Sequence, residues 1–167
     1  MRIIGIDPGY AIVGFGIIEY ENSRFKVINY GAVTTSADVD FNRRLEIIYN
    51  DVSQILDDYK PESLAIEKLY FLNNQKTAID VAEARGVILL SAIKRRILIR
   101  EYTPLEVKKS VTGYGKAVKK QVQEMTKRIL HLSEVPKPDD TADALAIAVC
   151  HAHTDNSLLA GFGKKII

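Results

Sequence analysis

The first 33 residues constrain the fold more than any other part of the chain. Three apolar, β-prone runs follow one another there: 1–6 (MRIIGI), 12–20 (IVGFGIIEY) and 25–33 (FKVINYGAV). The first breaks at Asp7-Pro8-Gly9, and the second and third are joined by the polar turn Glu21-Asn22-Ser23-Arg24. Connections this short turn a chain back on itself but cannot carry a crossover. The opening of the chain therefore predicts a three-stranded antiparallel meander.

The pattern then changes period. Phe41, Leu45, Ile48, Val52, Ile55, Leu56 and Tyr59 recur at steps of three and four, which predicts an amphipathic helix stopped by Pro61. A short strand follows at 63–67 (SLAIE), then a longer helix from about Gln75 to Arg96. That helix is apolar on more than one side, so it needs a second partner, deep in the domain or in another subunit. Gly86 in its middle would allow a close approach, at a propensity cost of ~1 kcal/mol. Residues 98–102 (LIREY) read as a fifth strand. Thr103-Pro104 reads as an N-cap and first helical position, opening a short helix that carries Val107, Lys108 and Val111. Gly113-Tyr114-Gly115 interrupts the chain before a helix over about 118–131. A last helix, capped by Asp139 or Asp140, runs to about His153. The expected architecture is α/β, a mixed five-stranded sheet flanked by helices. The order and spacing predict one domain over 1–155 and a loose tail over 156–167.

Bulk properties narrow the setting. At 167 residues and 47% hydrophobic, the chain suits one core. Its single cysteine, Cys150, cannot form an intrachain disulfide, which favours a reducing, cytoplasmic compartment. No secretory signal and no membrane-length apolar run is seen, so no membrane partner is expected. The net charge of +2 says little, but its distribution says more. Between Lys94 and Arg128 lie eleven basic residues against Glu101, Glu106 and Glu124, an excess of +8, leaving the remainder at −6. Such a band is an electrostatic footprint for a polyanion, or equally a solvated helical face.

Four acids carry the chemistry. Asp7 and Glu67 each stand at the C-terminal end of an apolar strand, where an unpaired charge is costly and where α/β sites gather. Asp140 and Asp143, three apart at a helix start, share one face. The helix behind them (Ala142, Leu145, Ala146, Ala148, Val149) must pack on the sheet, which would carry its first turn towards Asp7 and Glu67. Three of the acids also have a plainer explanation, a turn before Pro-Gly for Asp7 and a helix cap or dipole partner for the pair, whereas Glu67 at a buried strand end is the hardest to dismiss. If all four converge, they form a hard, oxygen-only site suited to Mg²⁺ or Mn²⁺. Two such ions would activate a water and stabilise the leaving oxygen of a phosphodiester.

A resemblance adds to this reading. IGIDPG at 4–9, AIEK at 65–68, EARGV at 83–87, VKKSVTGYGKAVKKQV at 107–122 and DDTADALAIA at 139–148 occur in an order and spacing that resemble the RuvC family of Holliday junction resolvases. The match covers nearly the whole chain. It implies a ribonuclease H-like fold and a metal-dependent endonuclease that resolves junctions in DNA recombination and repair. The family's four metal-binding acids fall on Asp7, Glu67, Asp140 and Asp143. The resemblance further implies a homodimer acting on four-way junction DNA, in some members with a branch-migration motor of the RuvA–RuvB type. The helix over 75–96 is the candidate subunit interface.

The same resemblance gives roles to other residues. Lys108 and Lys119 match basic positions near the family's active centre, although Lys109 and Lys120 stand beside them and the register of each pair is open. Lys120 is carried as a further DNA contact. Tyr70 matches an aromatic implicated at the junction, and Phe71 follows it; bare aromatics beside a metal site would suit base stacking. Gly113 and Gly115 around Tyr114 suit a loop lying against DNA. Gly115-Lys116 is followed by Ala117, so no Walker A motif is present. Cys150-His151-Ala152-His153 has zinc-ligand residue types but no matching second pair, and ordinary helix positions explain it. Two other classes remain open: a non-catalytic junction-binding protein of the same fold, and half of an actin-like or sugar-kinase nucleotide-binding unit.

Overall fold

The computed structural model describes residues 1–69 and 75–160. The meander forms as the short connections require: β1 (Arg2–Asp7), β2 (Ile12–Glu21) and β3 (Arg24–Thr34) pair antiparallel. Helix α1 (Phe41–Tyr59) leads to β4 (Ser63–Glu67), helix α2 (Gln75–Lys94) leads to β5 (Leu98–Tyr102), and both strands join in parallel. The sheet order is β3-β2-β1-β4-β5, so β1 lies between its antiparallel neighbour β2 and its parallel neighbour β4. Helices α3 (Pro104–Thr112), α4 (Lys119–Ile129) and α5 (Asp139–Ala160) complete the described chain.

The strands alternate between two cores, as a period of two demands. Ile4, Ile6, Leu64 and Ile66 face α1 and α2, where Ile48, Val52, Leu56, Ala84 and Ile88 are buried. Ile3, Ile18 and Ala65 face the other way, onto α5, with α3 and α4 outside it. Helix α5 is therefore buried all round from Ala144 to Ala152.

Three strand glycines decide how close α5 comes. A Cβ on Gly5 would stand 2.0 Å from the Ala144 carbonyl oxygen, one on Gly14 would stand 2.0 Å from that of Asp140, and one on Gly16 would meet Leu145 at 2.6 Å. The helix lies directly on this bare patch of β1 and β2, an approach that side chains there would forbid.

Several boundaries follow capping. Thr103 is the N-cap and Pro104 the first helical residue, as the sequence predicts, and Glu106 completes a reciprocal capping box with Thr103. Helix α2 ends at Lys94 rather than Arg96. Arg96 adopts a left-handed conformation (φ 58°), and Ile97 N–H donates to the Ala92 carbonyl at 3.1 Å. Helix α5 runs to Ala160, past the expected end near His153 and past the expected tail start at 156. No stop signal occurs before Gly161, so 154–160 continue the helix.

Helix α2 packs Ala84, Ile88 and Ala92 against its own domain but leaves Ile79, Leu90 and Ile93 exposed at 67%, 50% and 61%. Gly86 shares that outer stripe, and a Cβ there would meet nothing within 4 Å. The glycine thus makes no close approach within its own chain.

Candidate active site

Parallel pairing of β1 with β4 sets Ile6 opposite Ile66, so the next residues, Asp7 and Glu67, emerge side by side. The glycine patch then brings the first turn of α5 to the same end of the sheet. Gly14, the pairing partner of Asp7, is the residue on which the Asp140 backbone rests. Asp140 and Asp143 therefore enter the neighbourhood of the two strand-end acids.

The electrostatics record this convergence. The Asp7 carboxyl is pushed up to about 8, first by burial and then by the charges of Glu67, Asp143 and Asp140, with Lys119 opposing. Glu67 is held above its ordinary value by burial and by Asp143, while Lys119 and Lys108 pull it back. Burial also raises Asp143, against the lowering effect of Lys119, while Asp139 and Asp140 raise it further. Acids that repel one another in a half-buried site hold protons unless a cation takes their place.

Lys119 partly takes that place. Its Nζ lies 2.9 Å from Asp143 Oδ2 and 3.4 Å from Asp139 Oδ2. Asp139, which the sequence offers only as a cap, is thus a second partner of this lysine. Lys108, Lys119, Glu67 and Asp143 line one cleft of about 260 Å³, floored by Val107 and Ile147. Of each adjacent pair, Lys108 and Lys119 are the lysines that line this cleft. Lys109 is exposed, with its chain near Gly115, and Lys120 is exposed outside the cleft. Tyr70 and Phe71 lie outside the described residues.

Among the described residues, no three Asp, Glu, His or Cys side chains stand close enough together to form a finished coordination sphere. The donor set nevertheless fits a hard divalent cation, because it is all carboxylate and its members repel one another beyond what Lys119 offsets.

One side chain without an expected role supports this end of the sheet. Arg85, the arginine of EARGV, reaches from α2 to donate through Nε to the Glu67 carbonyl at 3.3 Å, and forms an ion pair with Glu101 on β5. It ties α2 to the strand end that carries Glu67. The EARGV pattern marked the residue, but only the fold shows what it touches.

The Cys-His-x-His run forms no ligand set. His151 is buried with Tyr102 Oη at 2.8 Å from Nδ1 and Ser63 Oγ at 2.8 Å from Nε2. His153 Nδ1 lies 3.1 Å from Ser110 Oγ.

Comparison with known proteins decides the family. The family model described as crossover junction endodeoxyribonuclease RuvC matches residues 3–151. The chain belongs to the RuvC family. A crossover junction endodeoxyribonuclease RuvC of Clostridioides difficile is 55% identical over 169 residues, covering 100% of both chains. The structure of Thermus thermophilus RuvC superposes with a TM-score of 0.88 at 32% identity, over 94% of this chain and 96% of that one. A second T. thermophilus RuvC structure, in complex with Holliday junction substrate, gives 0.87 at 30% identity over 95% and 97%. As in those RuvC structures, the fold is ribonuclease H-like. No described helix is long and apolar enough to cross a membrane.

Proposed function

We propose that this member of a junction-endonuclease family cuts four-way DNA junctions by hydrolysing phosphodiesters at the carboxylate cluster. The observation that supports the reading is the cleft that Glu67 and Asp143 share with Lys108 and Lys119, with Asp7 emerging beside Glu67 at the end of the neighbouring strand. Asp7, Glu67, Asp140 and Asp143 would hold Mg²⁺, with Mn²⁺ able to substitute, as two ions per site. Bound there, such ions supply water activation and charge neutralisation at the phosphate.

The chain's own residues do the rest. Lys108 faces the cleft and is placed to hold a phosphate oxygen and offset charge that develops on it. Lys119 has two carboxylate partners and, once released from Asp143, becomes a second cation for the backbone. Apolar Val107 and Ile147 under the cleft limit the water around the reacting group. Tyr70, Phe71 and Lys120 are assigned to DNA contact.

The unpartnered stripe of α2 supports a homodimer, in which two identical sites meet the approximate two-fold symmetry of the junction. A branch-migration motor of the RuvA–RuvB type is the proposed further partner, and the cytoplasm the proposed site of action. Incubating the protein with a synthetic four-way junction and Mg²⁺, beside Asp7→Asn, tests the core of the reading. Wild type should cut and Asp7→Asn should bind without cutting; binding without metal-dependent cleavage by wild type would refute it.

A further inference from the structure

The loop between α3 and α4 carries an aromatic that the catalytic reading leaves unused. Tyr114 is 58% exposed, and Leu105 and Val118 nearby are exposed at 51% and 61%. Bare apolar side chains are common singly, but three around one loop are not ordinary solvent-facing residues.

The loop is built rather than slack. Gly113 takes the left-handed conformation (φ 74°) that ends α3. Thr112 Oγ1 accepts the Tyr114 N–H at 3.1 Å, and its own hydroxyl faces the carbonyls of Lys108 and Tyr114 at 2.8 and 3.0 Å. Ala117 N–H donates to the Tyr114 carbonyl at 3.2 Å. Gly115 lies beneath Leu105, whose Cδ1 would stand 2.5 Å from an added Cβ. The ring is therefore presented on a backbone whose ordering cost is already met, which favours binding.

Charge identifies the occupant. Lys109 flanks Gly115, Lys116 follows it, and Arg128 lines the same groove as Tyr114. Glu124 is the acid of that groove. The groove itself pairs Arg128 with Glu124, and the two further cations beside the loop, Lys109 and Lys116, tip its surroundings positive; an exposed aromatic in such surroundings suits a polyanion with flat apolar faces, which is nucleic acid. The flanking helices carry Lys108 and Lys119 into the acid cleft, so the loop borders the site.

We propose that Tyr114 is a stacking platform for a nucleobase freed from its duplex near the branch point, separate from the aromatics at 70 and 71. The inference rests on the junction-binding reading above.

The chain has no tryptophan, so Tyr114→Trp places a single reporter at the platform. Combined with Asp7→Asn in Mg²⁺, its emission should be quenched by a four-way junction and much less by a linear duplex of the same sequence. In the same background Tyr114→Ala should weaken junction binding about tenfold, and Tyr114→Phe should stay within about twofold. Because no charge is removed, the salt dependence of binding should keep its slope. An unquenched tryptophan, equal quenching by duplex, or Tyr114→Ala binding like Tyr114→Phe would each overturn the platform. Failure of Asp7→Asn alone to bind junction would instead overturn the function on which it rests.

Discussion

Asp7 shows how a single residue trades stability for chemistry. Its carboxyl, raised to about 8 by burial and three neighbouring acids, ionises at a cost that the unfolded chain does not bear. A raised folded value means the metal-free protein is favoured at low pH and loses stability as pH climbs from about 4 towards 8. At pH 8 in EDTA, Asp7→Asn should therefore be more stable than wild type by at least about 1 kcal/mol, a gain of roughly 2–4 °C. Mg²⁺ should raise the wild-type melting temperature and leave the variant nearly unmoved. A variant that melts below wild type in EDTA would show that Asp7 is held by partners other than its repelling neighbours.

At the scale of elements, the site depends on the distance between α5 and the sheet. Gly14 is the tightest point that matters, since a methyl group there would run into the Asp140 carbonyl at 2.0 Å. Backbone on both sides leaves little to yield. Gly14→Ala should cost about 1–3 kcal/mol by overpacking and should push the first turn of α5 away from Asp7. Cleavage should fall at least about tenfold, because an ångström at a catalytic group is expensive, while junction affinity changes little. Unaltered single-turnover cleavage would show that the helix can lift without moving the acids.

At the scale of the whole molecule, α2 is unfinished. Its inner face is packed, yet Ile79, Leu90 and Ile93 stand in solvent around a glycine that touches nothing. Sedimentation equilibrium should find a dimer, and Leu90→Glu should convert it to a folded monomer. That monomer should nick junctions without the paired cuts of the dimer, since two sites are needed for two strands. A wild-type monomer at micromolar concentration, or an unimpaired Leu90→Glu dimer, would place the interface elsewhere. On another side of the same helix, Arg85 donates to the Glu67 carbonyl.

Local pattern was enough to determine the elements. Short polar connections dictated the meander, three- and four-residue apolar steps dictated α1, and Thr103-Pro104 with Glu106 dictated the start of α3, because each depends on residues within a few positions. Local pattern also marked Asp7 and Glu67, since a charge closing an apolar strand is visible where it stands. The meeting of those acids with Asp140 and Asp143 was a different matter. Their segments lie far apart in sequence, and no period or cap encodes the gap between them. Tertiary structure laid α5 on the bare backbone of Gly5, Gly14 and Gly16, set Lys108 and Lys119 in the lining of the cleft with Glu67 and Asp143, and gave Arg85 its partners. The strand glycines were the readable sign of that close approach, but a glycine says only that something comes near, and packing alone decided that it was α5.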